Sequence, residues 1–360
     1  MAEVRARKIS DYGSFFQAWK AKASASDVKP FNEISWVSSL METVGDDATI
    51  FTIDVEAGQD VSLVGFVGVQ KQRSFLHEDV LMFMESGDEA LDRVYPEYLD
   101  FIGDAERTLV ISGVFDIFDQ IGEFQFRNCG IVLQQSILEA AANLGLRTEI
   151  FRTQPTYHVD LQKVRDESEF IALVSKSLRG KIRRSKKIYR ERGDLVLSVA
   201  ATPSAREQAF RDLKRLHAAT WEARGEKGVF ANAQVVKFHE TLISKWPDHV
   251  ELLSLTAGTD VVGVLYNLKR GKYVCNYQSG FLMEKDNRLA PGFVMHAMAA
   301  DHYAKAGYET YDFLAGDAEY KRRLGEPGEE LYSIAVTRPS WRSLLRTVVS
   351  GAKAFRAGRS

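Results

Sequence analysis

The chain has 360 residues, 45% of them hydrophobic and 27% charged, with a formal net charge of −2. That length suits two cores of ordinary size, since single cores stop growing near ~250 residues, and the composition excludes a disordered or fibrous chain. So small a net charge gives no global pull toward nucleic acid, so DNA is not an expected partner and any anionic ligand must meet a local patch.

The N-terminal residues lack the apolar core of a signal peptide, and no run approaches the ~20 apolar residues of a membrane span, so a cytoplasmic location is expected. In chain order, strands are predicted over 49–55 and 61–69, joined by the turn Ala57-Gly58-Gln59-Asp60. A helix, SILEAAANLG, closes at Gly145, and Cys129 just before it is read as a buried, reduced thiol like Cys275. Neither cysteine has metal-ligand spacing, and no metal is expected. Residues 153–158 have turn chemistry and mark the join between domains. A helical stretch follows over 167–192 and carries the densest basic run, Lys176, Arg179, Lys181, Arg183, Arg184, Lys186, Lys187, Arg190 and Arg192. That spacing fits a solvated helix or a grip on phosphate, RNA or a membrane surface.

Strands then recur over 250–255 and 261–268, joined by Ala257-Gly258-Thr259-Asp260, so the pattern Ala-Gly-x-Asp-Val appears in both halves. The helix AMAADHYAKAG, closed by Gly307, is matched to SILEAAANLG. Together these echoes indicate an internal duplication. The expected architecture is α+β (α/β layers), with a mainly antiparallel, splayed sheet flanked by helices in each half. The expected boundaries are 1–155, 156–335 and a basic tail, 336–360. In that tail Trp341, Leu344, Leu345, Val348, Val349 and Phe355 alternate with Arg342, Arg346, Lys353 and Arg356, the composition of an interfacial helix able to hold the protein peripherally at the inner membrane, although packing on the body of the protein explains the apolar residues equally well.

The most informative segment runs over 273–325. Pro291 suits a first helical turn and Gly292 admits close approach of a ligand, so the helix start aims free N–H groups and a positive dipole end at an anion such as a pyrophosphate. Arg288 stands just before it. In the preceding strand Tyr277, Gln278, Ser279 and Gly280 bring polar groups and a glycine into an apolar run, as a pantetheine arm pairing with exposed main chain requires. After the next strand, Asp317, Tyr320 and Lys321 lie in Gly-Asp-x-x-Tyr-Lys at the end of a strand, where open sheets bind ligands. Asp317 is read as the group that orients or deprotonates an acceptor, Tyr320 as the acid for a leaving thiolate, and Lys321 as the partner of a negative acceptor or of a developing oxyanion. Capping and surface solvation explain Asp317 and Lys321 as well. Upstream, His217 and Trp221 sit four apart on one helix face. With Arg224 and Phe230 they are read as lining an acceptor pocket, and His239 as a candidate base. His296 and His302 are assigned to packing.

These residues carry a resemblance. SLRGKIRRSKKIY, LHAATWEARGEKGVF, the Phe-His-Glu around His239, NYQSGF, LAPGFVMH and YDFLAGDAEYKRRLG resemble the GNAT acyltransferase superfamily. The likeness is strongest to its CelD-like group, associated with cellulose and exopolysaccharide synthesis. The chain is more distantly similar to the FemABX peptidoglycan transferases, and residues 81–102 extend the resemblance into the first half. What the resemblance implies is a tandem GNAT fold in which the second domain holds acetyl-CoA or another acyl-CoA. Tyr277 to Gly280 would face pantetheine, Pro291 and Gly292 the pyrophosphate, and Tyr320 and Lys321 would match the aromatic-Lys motif near the FemABX acceptor site. Where the superfamily pattern reads Gln or Arg, two residues, Gly, any residue, Gly or Ala, this chain reads Asp-Asn-Arg-Leu-Ala-Pro-Gly over 286–292. The first half has no Pro-Gly start before SILEAAANLG, so its domain is expected to have lost donor binding. The implied activity is an acyl-CoA-dependent N- or O-acyltransferase, expected to move acetyl onto a saccharide or cell-envelope precursor. The alternatives are an aminoacyl-tRNA donor on the same fold and a non-catalytic scaffold in polysaccharide assembly.

Overall fold

The structure is a computed structural model that describes residues 2–45, 48–72 and 78–339. The first run of elements is β1 (Glu3–Lys8), α1 (Tyr12–Ser24), α2 (Ile34–Met41), β2 (Thr49–Ala57), β3 (Asp60–Gln70), β4 (Val80–Phe83), α3 (Arg107–Ile117), β5 (Glu123–Cys129), α4 (Ile131–Asn143) and β6 (Arg147–Asp160). After α5 (Leu161–Asp166) and α6 (Lys176–Arg192) come β7 (Leu195–Val199), α7 (Pro203–Glu222), α8 (Ala233–Lys245), β8 (Val250–Ala257), β9 (Asp260–Arg270), β10 (Tyr273–Phe281), α9 (Pro291–Lys305), β11 (Thr310–Ala315), α10 (Glu319–Leu324) and β12 (Glu326–Thr337). The run from β7 to β12 repeats the run from β1 to β6 element for element. The chain is therefore a tandem of mixed α+β units, each a mainly antiparallel, open sheet with helices packed on it.

Both predicted hairpins are present. Ala57 pairs with Asp60 and Ala257 with Asp260 across turns whose glycines, Gly58 (φ +68°) and Gly258 (φ +59°), hold left-handed backbone that other residues resist. The helix match is corrected: SILEAAANLG is α4, after β5, whereas AMAADHYAKAG is α9, before β11. The counterpart of α9 is α3. Glycine stops are too common to assign helices to equivalent places.

The chain divides into two compact units, one running to Thr153 and resuming at Glu330, the other Gln154–Glu329. The strands of the first follow the order β1-β2-β3-β4-β5-β12, and those of the second β7-β8-β9-β10-β11-β6. Each unit thus takes its closing strand from the other repeat. Tyr332 pairs with Cys129 and Ile334 with Phe126, so residues 330–335, expected in the second domain, belong to the first unit. Residues 153–158, read as a turn, lie inside β6, where Pro155 keeps its place by accepting from Gly316 N–H (3.0 Å). The helical stretch expected over 167–192 begins as a short 3-10 turn and becomes helix at Lys176 under a Ser175 cap. The basic tail lies, from residue 340 onward, outside the described residues.

In the second unit α6 and α9 share one core. Leu178, Ile182, Ser185 and Tyr189 recur at helical spacing on the buried face of α6. From α9, Val294, Ala297, Ala300, Tyr303 and Ala304 join this core, and the small residues let the helices come close. Ser185 Oγ accepts the Ala290 N–H (3.0 Å), which ties the basic helix to the start of α9.

Candidate functional site

Strands β10 and β11 pair in parallel from Tyr273 opposite Thr310 to Cys275 opposite Asp312, and beyond that point they part. On the β10 side an extra residue, Tyr277, enters between Asn276 and Gln278, bending the strand. On the β11 side Asp312 accepts from the Leu314 N–H (2.6 Å) and from the Tyr273 hydroxyl (2.7 Å), while Leu314 takes φ +62°. A β-strand leucine in left-handed backbone is strained, and such strain gathers at functional sites.

Helix α9 opens at this fork. Pro291 is its first residue and, among the described residues, no side chain caps its first turn. The Phe293 ring is flanked by Lys181 Nζ at 5.5 Å and the Arg323 guanidinium at 5.1 Å. A 15-residue helix with an uncapped start and cations on either side is an anion-binding arrangement. The Phe281 ring lies 3.3 Å from where a Gly292 side chain would begin, so glycine here makes room for an aromatic ring of the protein. Arg288, expected to meet the ligand, turns back onto Asp286 (2.7 Å) and holds that carboxyl at about 2. Beside α10 a cavity of ≈ 410 Å³ opens, lined by His158, Lys163, Phe170, Ser175 and Arg323 among others.

The Tyr-Lys motif sits in α10. Lys321 is buried, and its ammonium donates to the carbonyls of Leu314 (3.2 Å) and Ala315 (2.5 Å), closing the distorted end of β11. The Tyr320 ring stacks on His296, with centroids 5.6 Å apart and planes 11° apart. His296 is 1% exposed; its Nδ1 meets the Tyr311 hydroxyl at 2.9 Å. Burial, with the nearby Lys321 charge, lowers its pKa to about 3, so the ring is neutral. Asp317, by contrast, is exposed. Its carboxylate pairs with Arg322 and accepts from the Tyr157 hydroxyl (3.0 Å), and these contacts hold it below the usual range, which makes it a weaker base.

On the α7 and α8 side the predicted acceptor residues form one aromatic cluster. Trp221 Nε1 donates to His217 Nε2 (2.8 Å), and the Phe230 ring contacts both His217 (4.9 Å) and His239 (5.7 Å). Arg224 lies over Trp221 at 5.4 Å. His239 is fully buried, with Nδ1 3.3 Å from the Tyr266 hydroxyl and Nε2 3.4 Å from the Tyr277 hydroxyl. Burial lowers its pKa to about 3 and that of His217 to about 4, so both are neutral groups that orient phenols and rings. Gly280 is corrected: a side chain there would begin 2.9 Å from Leu216 Cβ and 3.0 Å from Leu213 O, so its smallness admits α7. Gln278 and Ser279 are half-buried opposite Tyr266 and Leu265.

The same place in the first unit is built differently. There β4 and β5 pair only from Val80–Glu123 to Met82–Gln125. The helix that follows, α3, is capped by Glu106, whose carboxylate accepts from Thr108 N–H (2.8 Å) and Leu109 N–H (2.6 Å). Phe83 packs against Phe101 (4.7 Å) and Phe126 (5.3 Å). Buried Glu85 reaches Arg127 at 3.4 Å and Asp92 lies near.

The structure thus gathers Tyr320 and Lys321 with the α9 start, and His217, Trp221, Phe230, His239 and Tyr277 in a second cluster. Sequence reasoning assigned His296 to packing and gave Tyr311 and Arg323 no role, although all three lie within the segments LAPGFVMH and YDFLAGDAEYKRRLG. Lys181 stood in the basic run, but only its position opposite Phe293 distinguishes it. Among the described residues no group of His, Cys, Asp and Glu is placed to hold a metal, and no helix is long and apolar enough to cross a membrane.

A fork of parallel strands beneath an uncapped helix defines an acyltransferase fold of GNAT type, and residues 176–322 match the family model of the acetyltransferase (GNAT) domain. As a whole the chain has the fold of a tandem of GNAT-like units, distantly similar to FemX. FemX matches 96% of this chain and 99% of its own at 11% identity (TM-score 0.61). The C-terminal domain of a putative lysylphosphatidylglycerol synthetase from Agrobacterium fabrum matches 94% and 96% at 12% identity (0.56). A tandem GNAT protein of the clavulanic acid pathway matches 94% and 100% at 11% identity (0.51). No curated protein matches the sequence significantly.

Proposed function

We propose that the chain is an acyltransferase that moves an acyl group, acetyl first among them, from a CoA thioester to a hydroxyl or amine of a saccharide or cell-envelope precursor. The observation that carries this reading is the uncapped start of α9 at the fork of β10 and β11, with Lys181 and Arg323 beside it. An anionic diphosphate suits the helix start, and the parted strands leave main chain for a pantetheine arm. The cavity that shares Arg323 offers room for the nucleotide end. In the first unit the carboxylate of Glu106 occupies the matching helix start, which supports a single donor site in the second unit.

Direct transfer needs the acceptor held against the thioester with water excluded, so positioning supplies much of the rate. As the new acyl bond forms and the C–S bond breaks, Tyr320 protonates the leaving thiolate and is reprotonated, through solvent, by the proton that the attacking hydroxyl or amine gives up; Lys321 holds the strained end of β11 in place, and Asp317 with Arg322 forms the outer rim. The aromatic cluster from Trp221 to Tyr277 is the acceptor side, where flat rings and buried polar edges suit a sugar face. The CelD-like resemblance points the acceptor toward polysaccharide precursors. The tail beyond residue 339 is the part proposed to touch a membrane surface.

A second reading, an aminoacyl-tRNA donor, is favoured by the outward face of α6, where Arg183, Arg184, Lys187 and Arg190 are exposed, and by the fold shared with FemX. Calorimetry separates these readings. Acetyl-CoA and desulfo-CoA should both bind with micromolar affinity. No binding heat from either, with steeply salt-dependent binding of charged tRNA, would favour the second reading. A protein that binds neither is a scaffold.

A further inference from the structure

His296 is a polar side chain in a place built for apolar ones. It stands on α9 in the second turn, over the fork, between Phe281 of β10 (5.9 Å), Phe313 of β11 (5.2 Å) and Tyr320 of α10 (5.6 Å). Phe313 lies just past the last paired residue, Asp312, and Phe281 ends the opposite bank, so the buried imidazole is held between side chains from both banks of the fork. One ring nitrogen is satisfied by Tyr311; Nε2 is buried and, among the described residues, has no hydrogen-bond partner.

Counting donors fixes the tautomer. If Nδ1–H donated to Tyr311, both the phenol hydrogen and the Nε2 lone pair would be left unpaired in the core. With the phenol donating to Nδ1, one group alone is left, an Nε2–H donor. The Tyr311 hydroxyl makes no other hydrogen bond among the described residues, and its pKa is raised by burial, so it keeps its proton. A buried donor without a partner is costly unless a ligand completes it.

We propose that His296 Nε2–H donates a hydrogen bond to the carbonyl oxygen of the acyl thioester, with Tyr311 as the positioning residue that holds the donor tautomer. This rests on the acyl-CoA reading above. The neutral imidazole places its donor where the oxygen gains negative charge as the acceptor attacks, and Tyr320, stacked on the same ring, faces the departing sulfur. No proton leaves His296.

The test needs no acceptor. Acetyl-CoA and S-ethyl-CoA differ at the atom in question, because the ethyl thioether has no carbonyl oxygen. By calorimetry the wild-type protein should prefer acetyl-CoA by about tenfold, the scale of one buried hydrogen bond. His296→Leu should bind both ligands equally, at the wild-type affinity for S-ethyl-CoA. His296→Gln, which keeps a donor, should recover part of the preference, and Tyr311→Phe should lose part of it. An unchanged preference in His296→Leu overturns the role of His296 while leaving the donor reading intact, as does equal binding of the two ligands by wild type. If His296→Leu misfolds, the decision passes to Tyr311→Phe and His296→Gln; full preference in the first with none in the second overturns the proposal. Wild type that binds neither ligand overturns the donor reading and this role together.

Discussion

At the residue scale, Tyr320 and Asp317 lie in one short motif but in unlike surroundings. The Tyr320 ring is held against buried His296, whereas the Asp317 carboxylate lies in solvent against Arg322 and below its usual pKa range. A group that gives a proton to a leaving thiolate must be fixed near it, and general acids of this kind contribute about 100-fold or more. Tyr320→Phe is therefore expected to slow thiol release from acetyl-CoA by about 100-fold with little change in melting temperature. Asp317→Asn, which removes an exposed ion pair, should change it by less than about threefold. Steady-state thiol release from both variants checks this, and equal losses would reverse the two assignments. The motif was legible because polar residues after an apolar strand stand out. His296 was not, because a lone histidine on an apolar helix looks like packing until its neighbours and its empty nitrogen are seen. Gly280 was misread for a related reason: a strand glycine signals a close approach without saying whether a ligand or a helix makes it.

At the scale of elements, the contrast between α3 and α9 decides which unit takes an anion. Glu106 satisfies two N–H groups at the start of α3 and places a negative charge there; the start of α9 has no such side chain. Replacing the N-cap residue Ala290 by serine should supply a cap and stabilise the second unit by about 0.5–1 kcal/mol, while competing with the anion for the same N–H groups. CoA affinity should fall roughly threefold to tenfold. Calorimetry and thermal melts on Ala290→Ser measure both effects, and a rise in stability with unchanged CoA affinity would mean that the anion sits elsewhere. Glu106→Ala should cost about 1 kcal/mol of stability and leave CoA affinity unchanged. The Pro-Gly start of α9 was readable from sequence because proline and glycine act through the backbone. Which helix of the first half matches it was not, since α3 and α9 share position and direction but no residue pattern. The basic helix was likewise only half legible. Arg179 caps the preceding turn (2.8 Å to Ile171 O) and Arg192 pairs with Glu284 (2.7 Å), so part of that charge run is structural.

At the scale of the whole molecule, the duplication was visible in its hairpin turns, whose glycines are required by backbone geometry. The exchange of closing strands was not visible, because a strand's sequence does not say which sheet it joins. The two repeats now differ most in what they bury, and this gives them opposite responses to pH. In the second unit His217, His239 and His296 are held neutral, at about 4, 3 and 3 against an ordinary 6.5, by burial. Below pH 6.5 the unfolded chain takes up protons that the folded unit refuses, so stability is lost as pH falls from 6.5 toward 4. Asp301, raised by burial, opposes this, but it is one group against three histidines. In the first unit burial raises Glu85 from 4.5 to about 8 and Asp92 from 3.8 to about 6. There the folded unit keeps protons that the unfolded chain has lost, so its stability is full below about pH 4 and declines as pH rises through 8. Each fully shifted group contributes at most ~1.4 kcal/mol per pH unit. Hydrogen exchange followed peptide by peptide, corrected for intrinsic rates, should show the second unit opening more readily at pH 5 than at pH 7 and the first unit less readily. Glu85→Gln should flatten the response of the first unit alone. A shift of both units in the same direction, or a first-unit response unchanged by Glu85→Gln, would show that these buried groups do not set the pH dependence of the fold.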